Sequence, residues 1–141
     1  MALRTARRSN PYLFGDTTGG VTLTAAFSGN EISFPTEMYS GMTVYIEYTP
    51  AESGASFGIQ VEGGPEISDF YPDSNEMDQG DGATNLLTWR GDVAGPVKDT
   101  AYRRKYRVPM NSSFTRISVK ELDVITDYGI VTVKGEFRIP R

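Results

Sequence analysis

The sequence predicts an all-β protein: an antiparallel β-sandwich, jelly-roll-like, with eight or nine strands and an extended N-terminal arm. Three observations carry that expectation. Apolar and polar residues alternate in run after run, while helical spacing is nearly missing. Turn-forming residues separate those runs at roughly 8–15-residue intervals, as they do between the strands of sandwiches. The composition holds 15 Gly, 8 Pro and 16 aromatics (7 Phe, 8 Tyr and 1 Trp) in 141 residues. A parallel α/β sheet is excluded, because no crossover helices are present to cover it. The length suits one domain with its own core, divided here into an arm over residues 1–19 and a sandwich over 20–141.

The strands follow in chain order. Val21 to Phe27 places Val21, Leu23, Ala25 and Phe27 on one side, and Ser28-Gly29-Asn30 turns the chain into Glu31–Phe34, stopped by Pro35. Met42 to Thr49 is the clearest strand, with Met42, Val44, Ile46 and Tyr48 inward and Thr43, Tyr45 and Glu47 outward. Phe57 to Val61 returns after a Pro/Gly/Ser loop and is expected to break at Gly63-Gly64-Pro65. Weaker strands cover Ile67–Tyr71 and Asn85–Arg90. Tyr102 to Val108 alternates Tyr102, Arg104, Tyr106 and Val108 against Arg103, Lys105 and Arg107. Phe114 to Glu121 buries Ile117 and Val119 and exposes Arg116, Ser118 and Lys120. Gly129 to Ile139 turns Val131, Val133, Phe137 and Ile139 inward, with Gly135 as a candidate bulge.

The chain has no cysteine and no histidine. That removes thiol chemistry, the usual zinc and iron ligand sets, and Ser-His-Asp or Cys-His catalysis. Lys98, Lys105, Lys120 and Lys134 sit in a loop or at polar strand positions, unlike a buried catalytic lysine, and no local motif nominates an acid–nucleophile pair. The expectation is a non-enzymatic protein without cofactor. No apolar run approaches signal-peptide or membrane-span length, so synthesis in a cytosol, starting at Met1, and no membrane contact are expected.

The formal charge of −4 conceals segregation along the chain. Residues 1–10 carry +3, residues 11–97 carry −12 and residues 98–141 carry +5. Either early and late strands pair and neutralise one another, or an acidic face of one copy meets a basic face or basic arm of another molecule. The candidate basic strand face comprises Arg103, Lys105, Arg107, Arg116 and Lys120. The basic stretches are short and the overall balance repels phosphates, so nucleic acid is not expected.

Two segments stand apart. The arm carries Arg4, Arg7 and Arg8 and then Pro11-Tyr-Leu-Phe-Gly. It reads either as a tail, frayed or folded onto its own sandwich, or as an arm docked on a neighbouring subunit. In the second case Tyr12, Leu13 and Phe14 are the anchors and the arginines the rim contacts. The loop from Tyr71 to Thr84 is acidic and Gly-rich. Asp73, Glu76, Asp78 and Asp81 offer the oxygen ligands calcium takes, although their spacing departs from an EF-hand and Asp-Gly pairs also simply make turns. Trp89, Tyr39, Tyr45 and Tyr71 could stack on sugar rings, with Trp89 reading better as core.

The runs Thr43-Val-Tyr-Ile-Glu-Tyr-Thr49, Tyr106-Arg-Val-Pro109, Thr115-Arg-Ile-Ser-Val-Lys-Glu121 and Gly129-Ile-Val-Thr-Val-Lys134 together resemble small β proteins encoded among the head genes of tailed bacteriophages. The resemblance spans residues 20–139 and lies in strand texture. It implies a capsid decoration (cement) protein on the outer surface of a phage head. The partners implied are the major capsid protein and copies of the chain itself, with a trimer favoured, and no catalytic residues transfer. A carbohydrate-binding or adhesion module, including fibre attachment, is the alternative from another class.

Overall fold

The computed structural model describes residues 4–6, 12–72, 86–89 and 97–139. Among them lie eleven strands: β1 (Arg4–Ala6), β2 (Tyr12–Phe14), β3 (Val21–Thr22), β4 (Glu31–Pro35), β5 (Gly41–Thr49), β6 (Ser56–Glu66), β7 (Asp69–Pro72), β8 (Leu86–Trp89), β9 (Tyr102–Pro109), β10 (Phe114–Leu122) and β11 (Ile130–Ile139). They form two antiparallel sheets. One runs β1-β11-β5-β9, with β2 and β3 also paired to β11; the other runs β4-β10-β6-β7, with β8 also paired to β6. The nine expected strands are all present, and β1 and β2 are additions from the N-terminal segment.

The core lies between the sheets and follows from period-2 patterning. Met42, Val44, Ile46 and Tyr48 of β5 are buried, as are Val131, Val133 and Phe137 of β11 and Phe57, Ile59 and Val61 of β6. Aromatic rings join the layers. Phe34 of β4 meets Phe137 edge-on at 5.4 Å between centroids, and Tyr48 lies 5.6 Å from Phe57. Such pairs add about 0.5–1.5 kcal/mol each beyond the area they bury.

Five local expectations are corrected. Of the first expected strand only Val21–Thr22 is regular strand; beyond it the Leu23 amide donates to the Gly129 carbonyl and the Thr24 carbonyl accepts from the Glu121 amide. Thr24 Oγ1 then donates to the Ala26 carbonyl, and Asn30 Nδ2 donates to both Thr24 Oγ1 and that carbonyl. These side-chain bonds bend the chain out of the ladder. β6 does not break at Gly63-Gly64-Pro65 but runs on to Glu66, with a register shift against β7 between Gly63 and Glu66. Gly135 is no bulge against β5, because that register is unbroken from Ile130–Thr49 to Arg138–Gly41. The shift lies instead between Val133 and Lys134, against β2. Ser118 is buried rather than exposed, on a strand covered on both sides by β4 and β6. Among the described residues its Oγ is the buried side-chain polar atom left without a hydrogen bond.

The N-terminal segment supplies the fifth correction. β1, β2 and β3 pair in succession with one edge of β11, at Phe137–Ile139, Val133–Lys134 and Ile130–Val131. They act as one interrupted strand that closes an edge otherwise open to aggregation. Leu13 and Phe14 are only 7% and 8% exposed and belong to this chain's own core. Gly135 explains the fit of Leu13. A Cβ there would lie 2.9 Å from Met42 Sδ and 3.2 Å from Leu13 Cδ1, so the missing side chain is the hole that both fill.

Candidate functional site

The outer face of the six-stranded sheet carries an open groove of about 800 Å³. Its floor is set by pleat and register. Lys134 of β11 pairs with Tyr12 of β2 on one side and with Tyr45 of β5 on the other, and Tyr45 pairs in turn with Lys105 of β9. Cross-strand partners share a face, so Tyr12, Lys134, Tyr45 and Lys105 form one row across four strands, aromatic alternating with cationic. The Lys134 ammonium lies 5.0 Å above the Tyr12 ring, and the Tyr45 hydroxyl donates to Glu136 Oε1 at 3.2 Å. In the neighbouring row Arg103 Nε donates to Glu47 Oε2 at 2.7 Å. That exposed pair is worth about 0.2–1 kcal/mol and serves to position rather than to stabilise.

One wall is the loop between β2 and β3. Gly15 turns it with φ +86°, a region that favours glycine. Asp16 Oδ1 then accepts from the Thr18 amide at 2.8 Å, the Thr18 hydroxyl at 2.5 Å and the Gly19 amide at 3.2 Å. The Thr18 hydroxyl, followed by those amides, holds the Asp16 carboxyl below its ordinary value, so this wall stays anionic. The opposite wall is Arg103 to Lys105 on β9. By the same pairing rule Arg104, the partner of core Ile46, turns its side chain to the other face, so the groove presents Lys134, Arg103 and Lys105 against Asp16 and Glu47, with Glu136 beside Tyr45. Lys105 makes no ion pair among the described residues.

A second feature lies at one end of the sandwich. Glu52 accepts hydrogen bonds from the backbone amides of Ile125, Thr126 and Asp127. These bonds, with some help from Lys98, hold its carboxyl below the usual value. The braced loop presents Ile125 at 93% exposure, with Tyr128 and Ile130 following it. Across the Pro50–Glu52 segment the Asp99 amide donates to the Pro50 carbonyl, beside exposed Val97.

Just beneath this end, Glu121 is buried with Tyr48. Its carboxylate accepts from the Tyr48 hydroxyl and from the Gly129 amide, the latter at 2.7 Å. Burial raises the Glu121 carboxyl above its ordinary range despite those two bonds, and burial together with Glu121 raises the Tyr48 phenol.

The residues singled out from sequence are dispersed. Tyr12 lines the groove, whereas Leu13 and Phe14 are core. Arg4 lies in β1, paired with Ile139; Arg7 and Arg8 fall outside the described residues. The five-membered basic face is split. Arg103, Lys105 and Arg107 are exposed on β9, but Arg116 and Lys120 lie on β10 of the opposite sheet. Arg116 is held there by Glu62 at 2.8 Å and Glu31 at 3.3 Å, and the Lys120 ammonium sits 4.6 Å over the Phe27 ring. Sequence order cannot tell which sheet a strand joins, so like charges on β9 and β10 looked contiguous. Asp73, Glu76, Asp78 and Asp81 lie outside the described residues. Among the described residues no three acidic side chains converge to hold a metal, and no helix is long and apolar enough to cross a membrane.

Of the aromatics considered for sugar stacking, Tyr45 is in the groove. Tyr39 packs on the Phe137 ring at 4.6 Å, and Tyr71 hydrogen-bonds to Asp69 on the other sheet. The Asp16–Gly19 wall was missed. Its signal, Gly-Asp-Thr-Thr-Gly-Gly, reads locally as a turn and acquires a role only beside β11. No family model, curated protein or solved structure matches the chain.

Proposed function

We propose that the chain is a non-enzymatic virion structural protein, a decoration subunit that grips the outer surface of a phage head through the major capsid protein and neighbouring copies of itself. The observation that carries the reading is the braced apolar end of the sandwich. An exposed isoleucine is ordinary on a loose loop. Ile125 instead projects from a segment whose amides are tied to Glu52, so little conformational freedom remains to be lost when a partner covers it. Tyr128 and Ile130 extend the apolar surface. Many copies on a repeating lattice add avidity to a contact that is small in each copy, and the phage-head strand texture supports the same reading.

The test is saturable binding of the purified protein to emptied, expanded phage heads. Ile125→Asp should abolish binding while leaving the thermal midpoint unchanged, because the side chain is almost wholly in water. Equal binding by the variant would remove this end from the account. A second reading, a carbohydrate-binding or adhesion module, is favoured by Tyr12 and Tyr45 on the groove floor. It uses a different surface, and glycan-array binding by the isolated protein separates it from head attachment.

A further inference from the structure

We propose that the groove on the outer face of the six-stranded sheet binds an acidic linear polysaccharide in which anionic and uncharged sugars alternate. The proposal rests on the adhesion reading and names its ligand. Adjacent strands in a sheet are about 4.8 Å apart, and an extended pyranose chain advances by a comparable step per sugar. A chain laid across the strands therefore meets Tyr12, Lys134, Tyr45 and Lys105 with successive units. The two tyrosines recur at every second unit and offer ring faces for the apolar faces of uncharged sugars. The two lysines recur at the intervening units and meet the carboxylates or sulfates.

The surroundings suit this chemistry. Lys134 lies over the Tyr12 ring in the free protein. Drawing its ammonium to a ligand anion gives up that exposed cation–π contact in exchange for an ion pair. Tyr45 is held by Glu136, so its ring is positioned before binding. Asp16, fixed by its three donors, and Glu47 offer carboxylate acceptors to sugar hydroxyls. Those same carboxylates disfavour single-stranded nucleic acid, whose phosphates place a charge on every unit rather than every second one. An acidic peptide supplies the charges but lacks flat apolar faces at the tyrosine positions.

The experiment is calorimetric titration of the full chain with hyaluronan octasaccharide, which alternates a uronate with an uncharged amino sugar. Parallel titrations use cello-oligosaccharide, polygalacturonate oligomers, an oligothymidylate and a poly-glutamate peptide. Hyaluronan should bind most tightly and weaken with added salt. Tyr45→Ala and Lys134→Ala should each weaken it at least tenfold, while Lys134→Arg retains binding and all three variants keep the wild-type thermal midpoint. Absence of hyaluronan binding, indifference to both alanine variants, or stronger variant-sensitive binding of any other probe would overturn the proposal. Head attachment is read through Ile125 on another surface, so failure here leaves that result standing.

Discussion

Removing residues 2–14 is the most informative single perturbation. From sequence, an arm docked on a neighbour could be deleted with the isolated fold intact. The structure reverses that expectation, because the deletion strips Leu13 and Phe14 from the core and two of the three short strands from the β11 edge. Burying a leucine or phenylalanine side chain is worth about 1.5–3 kcal/mol, so the two together contribute about 3–6 kcal/mol. That is a large share of the ~5–15 kcal/mol typical of a whole domain. Urea unfolding at equilibrium measures it, with the midpoint expected to fall steeply and the freed β11 edge to promote aggregation. If the truncated chain does not fold at all, Leu13→Ala still reads the effect. It removes most of the side chain that fills the hole over Gly135 and should cost about 2–5 kcal/mol. A truncated protein within ~0.5 kcal/mol of the full chain, the size expected of a neutral surface change, would refute the assignment of this segment to the core.

Two further outcomes follow from the geometry. At Gly64 an added Cβ would stand 1.8 Å from the Asp69 carbonyl oxygen, a backbone atom that cannot swing aside. Gly64→Ala should therefore lower stability by about 1–3 kcal/mol, as overpacking does, whereas Gly19→Ala, with nothing within 4 Å, should leave the thermal midpoint nearly unchanged. Glu121 makes a pH prediction whose sign is set by its raised carboxyl. The folded chain keeps that proton to higher pH than the unfolded chain does, so this residue's contribution declines as pH rises from the ordinary 4.5 through the raised value. Glu52, with its lowered carboxyl, acts oppositely and loses its contribution as pH falls below the ordinary 4.5. Urea titrations of wild type and Glu121→Gln across this range should give curves that diverge as pH rises, with the wild type losing ground. Parallel curves would show that Glu121 is not titrating differently on folding.

The period-2 runs were sufficient to establish the long strands and most of the faces they bury. Met42, Val44, Ile46 and Tyr48, like Val131, Val133 and Phe137, point inward as alternation requires, because a strand's side-chain period is local and needs no knowledge of its neighbours. What alternation cannot encode is which strand lies beside which. Pairing set by tertiary structure placed Arg103 and Lys105 on the groove and Arg116 between two glutamates on the far sheet. It also turned a short apolar stretch around Leu13 into an edge strand. The Tyr12–Lys134–Tyr45–Lys105 row joins residues from four distant segments, and Ile125 is held by a carboxylate 73 positions earlier. Local chemistry thus determined the long strands and most of their inward sides. The contact surfaces arose from long-range register, which depends on how two whole sheets close over a shared core.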